Sequence, residues 1–175
     1  VLYAEQPEQR GTGDAAMVGM TVIPGDDLDD DSTVIVLPGD TPLLRPETLE
    51  GLVAAHVANG NAATLTTSVL DDPTGYGRVL RAPSKGDVQG RVLRIVEQRD
   101  ASDEERAVRE VNMGMYAFRR DLLGPALRHL SPDNAQGEFY LTDVIARAVA
   151  EGVAVRTVSP RVNEEILGVN NRLQL

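Results

Sequence analysis

The chain has 175 residues and a mass of 18.8 kDa, which suit a single domain spanning 1–175, and its 42% hydrophobic residues suffice for a sizeable core. A formal charge of −10 speaks against nucleic acid or an anionic membrane as partner. No apolar run nears the roughly 18 residues of a membrane-spanning helix, and no signal segment opens at Val1, so the cytoplasm is the expected compartment. The absence of cysteine removes disulfides, thiolate metal sites and a cysteine nucleophile.

The opening Val1-Leu2-Tyr3-Ala4 reads as if inside a strand, and with no initial methionine the chain is expected to be a fragment. Gly11-Thr12-Gly13 precedes a helix expected at about 14–22. Its N–H groups either hold an anion or approach a base closely, or the glycines only turn the chain into the helix. Asp26, Asp27, Asp29, Asp30 and Asp31 form a solvated acidic loop rather than a calcium site, because the EF-hand pattern and its closing glutamate are missing. Residues 33–37 are a β-branched run, expected as a strand buried on both faces and stopped by Pro38-Gly39-Asp40. Pro46 starts a helix with Leu49, Leu52, Val53 and Val57 on its apolar face, closed by Gly60.

A strand over 62–70 follows, then a turn-rich loop from Asp71 to Gly77, then strands at 78–82 and 91–98 around a Lys85-Gly86-Asp87 turn. Ser102 and Glu105 have the spacing of a capping box for a helix at 103–108. Next come a strand at 111–119 and a helix within 121–130. Leu141, Val144, Ile145, Ala148 and Val149 recur at helical spacing up to Gly152, and a strand is expected at 153–158. This alternation predicts a Rossmann-like α/β layer, a mixed and mostly parallel sheet flanked by helices, with an antiparallel excursion at 78–98. Ligands of such sheets gather at the carboxyl ends of strands.

Several polar residues sit where chemistry is done. Asp40 follows an apolar strand and two turn residues, so it either faces a cleft or caps a turn. Together with the amide of Asn170 it would suit magnesium, which takes hard oxygen ligands and keeps part of its water. Glu97 and Asn112 lie near strand ends, able to bind sugar hydroxyls or to make ordinary strand-end hydrogen bonds. His56 and His129 read as helix-surface residues. No nucleophile elbow, P-loop or dinucleotide fingerprint is present.

Six segments, in order, carry a family resemblance: Ala4-Glu5-Gln6 with Gly11-Thr12-Gly13; Gly39-Asp40-Thr41-Pro42-Leu43; Leu70-Asp71-Asp72-Pro73-Thr74-Gly75-Tyr76-Gly77-Arg78; Ile95-Val96-Glu97; Asn134-Ala135-Gln136-Gly137-Glu138 with Tyr140-Leu141-Thr142-Asp143; and Gly168-Val169-Asn170-Asn171-Arg172. Together they resemble the uridylyltransferase half of the bacterial bifunctional N-acetylglucosamine-1-phosphate uridylyltransferase / glucosamine-1-phosphate acetyltransferase family. The resemblance runs over essentially the whole chain, which would form roughly the C-terminal two-thirds of that domain.

The resemblance implies a reaction of UTP with N-acetylglucosamine 1-phosphate, giving pyrophosphate and UDP-N-acetylglucosamine for cell-wall synthesis. It implies that Gln6, Gly11 and Thr12 contact uracil. Asp40 and Asn170 would hold Mg²⁺ as the catalytic pair, Asn170 also touching substrate. Gly77, Glu97 and Asn112 would surround the N-acetylglucosamine, with Tyr140 and Thr142 lining the same pocket. The alternatives are another sugar-1-phosphate nucleotidyltransferase and a non-catalytic nucleotide-sugar binding module.

Two departures stand out. Asp14 occupies a position that is usually basic or neutral, where it would disfavour a nearby phosphate, and Glu8-Gln9-Arg10 lengthens the loop before Gly11. The family's glycine-rich triphosphate loop would precede Val1 and its trimer-forming acetyltransferase domain would follow Leu175, so the fragment alone is expected to be inactive and not trimeric.

Overall fold

The computed structural model describes residues 1–24, 29, 31–84 and 89–160. The elements in chain order are α1 (Thr12–Met20), β1 (Thr33–Val36), α2 (Pro46–Ala58), β2 (Ala63–Val69), β3 (Arg78–Arg81), β4 (Val92–Val96), α3 (Asp103–Arg106), β5 (Glu110–Arg119), α4 (Arg120–Leu127), α5 (Asp143–Ala150) and β6 (Val155–Val158). Every element expected from the pattern between 12 and 158 is present, with bounds shifted by a few residues. Val1, Leu2 and Tyr3 are exposed and lie in no strand, unlike the extended strand the opening residues suggest. The Lys85-Gly86-Asp87 turn, Asp26, Asp27, Asp30 and Asn170 lie outside the described residues, while Asp29 and Asp31 are exposed.

The sheet runs β4-β3-β5-β2-β6, and β1 also pairs with β5. β1, β2 and β3 are each antiparallel to β5, β4 is antiparallel to β3, and β6 is parallel to β2. Four strands therefore point one way, while β4 and β5 point the other. Because β5 lies among the first group, β2–β6 is the only parallel ladder among the described strands. The sheet is mixed as expected, but its ladders are mostly antiparallel. Sequence order cannot reveal this, since β5 inserts between strands far from it along the chain.

β5 shows how period-two alternation divides the molecule into layers. Val111, Met113, Met115 and Ala117 pack with Leu52 of α2 on one face. Tyr116 and Phe118 turn to the other face, joining Leu122 and Leu123 of α4, Val144 and Ile145 of α5, and partly buried Met17 and Met20 of α1. Tyr116 and Phe118 stack with centroids 5.4 Å apart. A fully buried side chain of the size of Phe118 or Ile145 contributes roughly 1.5–3 kcal/mol by leaving water.

Two expectations are corrected. β1 is not buried on both faces, since Ile35 is 42% exposed and β1 pairs only with β5 among the described residues. Its apolar run reflects strand propensity, which does not fix how many layers cover a strand. His56 is not on the helix surface: α2 buries Leu52 and His56, one turn apart, and leaves Val57 64% exposed. The His56 imidazole lies within hydrogen-bond distance of Thr64 on β2 at 3.1 Å, and burial pulls its pKa down. The face that α2 turns inward is therefore offset from the stripe that ends at Val57. His129 is exposed, as expected.

Candidate active site

One cleft of about 510 Å³ lies between α1, the end of β1, β5 and the start of α5, and Thr12, Glu97, Asn112 and Thr142 all line it. Each arrives by a separate local cause. Glu97 follows the last residue of β4, at the end of a strand whose Ile95 and Val96 are buried. Thr142 is the N-cap residue of α5, and its hydroxyl donates to Glu97 Oε1 at 2.9 Å. Burial holds the Glu97 carboxyl above its usual range; the Thr142 bond opposes this, while Asp143, Asp100 and Glu138 push the same way as burial.

Gly77 is buried against this carboxylate, for a β-carbon there would lie 3.2 Å from Glu97 Oε2 and 3.0 Å from the Ile95 side chain. Its carbonyl accepts the Asn112 backbone N–H at 2.8 Å. The Asn112 amide donates to the Tyr116 hydroxyl at 2.6 Å and accepts from the Gly114 N–H at 3.2 Å. Burial pushes the Tyr116 phenol far up, so it stays neutral. Sequence reading missed Tyr116 and Gly114 as cleft residues, although period-two spacing from Asn112 along β5 could have found both.

The Gly11-Thr12-Gly13 segment is clamped to the chain just before α5. Phe139 N–H donates to Arg10 O and Gly13 N–H donates to Phe139 O, each at 2.8 Å. Thr12 Oγ1 accepts the Leu141 N–H at 3.1 Å. Gly11, with φ 103, and Gly13 both leave no room for a side chain beside residues 138–139 and Leu130. The glycines therefore turn the chain into α1 and bring Thr12 to the cleft.

Gln6 and Gly11 sit beside this helix start and do not line the cleft. Gln6 Nε2 donates to Asp14 Oδ2 and Arg10 Nη2 to Asp14 Oδ1, both at 2.7 Å. Asp14 is 3% exposed, and the bonds from Gln6 and then Arg10 hold its carboxyl below the usual range against the effect of burial. The charge of Asp14 is thus met inside the protein. Arg10 supplies the opposite charge, and its guanidinium carbon lies 5.6 Å from the Phe139 ring centroid.

Tyr140 is buried and does not line the cleft. Its hydroxyl donates to Asp100 Oδ2 at 3.0 Å and accepts from Gln136 Nε2 at 2.9 Å, while Asp100 Oδ1 accepts the Ala135 N–H at 2.8 Å. Asp100 thereby ties the 134–140 segment to the turn after β4, a link no local sequence signal announces.

Asp40 lies exposed in the turn after β1, beyond Pro38 of the cleft wall; burial raises the Tyr76 phenol and the charge of Asp40 adds to that rise. An accessible, acceptor-only carboxylate fits a hard cation that keeps some of its water. Among the described residues no three His, Asp or Glu side chains gather as a metal cluster.

A mixed sheet with helices on both faces, and a mostly apolar cleft at strand ends into which Thr12, Glu97, Asn112 and Thr142 bring polar groups, define a layered α/β domain with a ligand-sized site. The chain belongs to the nucleotidyl transferase family, which it matches over residues 1–162. It is 51% identical over 173 residues to the bifunctional protein GlmU of Methylococcus capsulatus, an alignment covering 99% of this chain and 35% of that protein. It is 50% identical over 175 residues to GlmU of Corynebacterium aurimucosum, covering 100% of this chain and 34% of that one. The chain thus spans about a third of the length of these relatives. The crystal structure of a UDP-glucose pyrophosphorylase complexed with UDP-glucose shares the fold, with a TM-score of 0.63 at 15% identity over 86% of this chain and 55% of that one.

Proposed function

We propose that this chain is part of a sugar-nucleotide uridylyltransferase domain that joins UTP to N-acetylglucosamine 1-phosphate in the cytoplasm, releasing pyrophosphate and supplying UDP-N-acetylglucosamine to cell-wall synthesis. The carrying observation is the convergence of Thr12, Glu97, Asn112 and Thr142 on one cleft, in a chain about half identical to GlmU proteins along nearly its whole length.

An oxygen of the sugar phosphate attacks the α-phosphorus of UTP, the bond from that phosphorus to the bridging oxygen breaks, and pyrophosphate leaves with the electron pair. Such a displacement needs no protein nucleophile; it needs alignment and charge neutralisation. Gln6, Gly11 and Thr12 are assigned to the uracil. Glu97 and Asn112 accept and donate hydrogen bonds to the sugar, Gly77 keeps the floor beneath Glu97 open, and Thr142 orients the Glu97 carboxylate. Tyr140 is assigned to the same pocket through the segment it anchors. Asp40 and Asn170 would hold Mg²⁺, whose charge would offset that of the phosphates.

Asp40→Ala in the full-length protein is expected to abolish Mg²⁺-dependent pyrophosphate release, and retained release would sink the metal assignment. A panel of sugar 1-phosphates and nucleoside triphosphates tests the substrates; equal turnover of a different sugar or base would point to another sugar-nucleotide transferase. Trimer formation is assigned to a region outside this chain, so sedimentation of the chain at the mass of three copies would contradict that assignment.

A further inference from the structure

The Gln6 side chain is gripped by its nitrogen. Nε2 donates to Asp14 Oδ2 at 2.7 Å and lies 3.5 Å from the Gly11 carbonyl oxygen, so both neighbours are acceptors. A carboxylate can only accept, and turning the amide round would set Oε1 against two oxygens. The carbonyl oxygen of Gln6 is therefore the end left for a ligand, and among the described residues it accepts no hydrogen bond. Asp14 cannot swing away to relax this choice. It is 3% exposed, and its other oxygen is held by Arg10 at 2.7 Å.

We propose that Asp14, anchored by Arg10, is a positioning residue that sets the polarity of the Gln6 amide and so selects a base offering an N–H donor. Uracil presents a ring N–H between its two carbonyls. Cytosine presents a bare acceptor nitrogen at the same ring position, which would meet the Gln6 oxygen lone pair to lone pair. The proposal rests on the reading of Gln6 as a base contact. It gives Asp14 and Arg10 a joint purpose.

The sharpest test is isosteric. In Asp14→Asn the single side-chain oxygen stays with the Arg10 cation, so the new Nδ2 faces Gln6 and turns its oxygen inward. The outward group then becomes an N–H donor. In the full-length protein, the ratio of UTP to CTP affinity is expected to fall at least about tenfold, the scale of one hydrogen bond replaced by a buried mismatch. Adding Arg10→Met frees the Asn oxygen to turn back to Gln6, and the double variant is expected to recover the UTP preference.

Gln6→Ala separates the two layers of inference. If it leaves the ratio unchanged, the base contact is wrong and the proposal falls with it. If it lowers the ratio while Asp14→Asn does not, the base contact stands and the role of Asp14 is refuted. A ratio lost in Asp14→Asn but not recovered by Arg10→Met would mean that Asp14 acts only structurally, which also overturns the proposal. Hydrogen exchange of the Gln6 side-chain amide in the parent protein gives a check that needs no variant: at least one Nε2 proton should be protected, and exchange as fast as a free glutamine would refute the grip.

Discussion

Gly11→Ala tests how the candidate site is assembled, because Gly11 lies where α1 and the segment before α5 are pressed together. Its backbone, at φ 103 and ψ 174, occupies a region that other residues enter at about 1–3 kcal/mol. A β-carbon there would lie 2.6 Å from the Phe139 carbonyl oxygen and 2.9 Å from Glu138 Cβ. Neither neighbour gives way cheaply, since Phe139 is bonded to Arg10 and Gly13 at 2.8 Å on each side. Overpacking of this kind adds about 1–3 kcal/mol, so the total loss should be about 2–6 kcal/mol. Gly60→Ala is the control, with φ +56 but open space around the added carbon; its left-handed backbone alone should cost about 1–2 kcal/mol. Urea unfolding of the three chains, read by circular dichroism, gives the comparison. Equal midpoints for the two variants would show that the clamp around Gly11 is not rigid, and the reasoning would fail.

Glu97 makes a pH prediction. Burial raises its carboxyl above the ordinary 4.5 in the fold, so the folded chain binds more protons than the unfolded one between those two values. This group's contribution is full below the ordinary value and is lost as pH rises through the folded value. Glu97→Gln, which cannot ionise, should therefore gain stability over the parent as pH climbs past 4.5, with the two melting curves converging below it. A constant difference across that range would contradict the assignment. Tyr116→Phe removes the hydroxyl that accepts the Asn112 amide at 2.6 Å and should cost about 1–2 kcal/mol in urea unfolding. The same variant should weaken sugar 1-phosphate binding in the full-length protein by calorimetry. Ser102→Ala should cost about 1 kcal/mol, because Ser102 Oγ accepts the Glu105 N–H at 3.2 Å and the Glu105 carboxylate accepts the Ser102 N–H at 2.9 Å. Its effect should be confined to stability, leaving nucleotide binding unchanged.

Local chemistry in the sequence determined the elements themselves. Pro46 starts α2 at its first position, Ser102 and Glu105 form the capping box of α3, and Leu141, Val144, Ile145 and Ala148 all reach the core. These outcomes depend on residues within one or two turns of each other, so short-range pattern suffices. The ordered segments contain Glu97 and Thr142, a place near a strand end singled out Asn112, and the fold brings all three to one cleft.

Only tertiary structure decided the rest. The placement of β5 between strands distant in sequence made the ladders mostly antiparallel, and His56 lies in the interior against Thr64. Tyr140 became a tie to Asp100, 40 residues away, and Asp14 became the buried partner of Gln6 and Arg10. Each of these turns on which distant group meets a polar atom once water is excluded. Hydrophobic periodicity carries no such information, because it records which side of an element is covered and not what covers it.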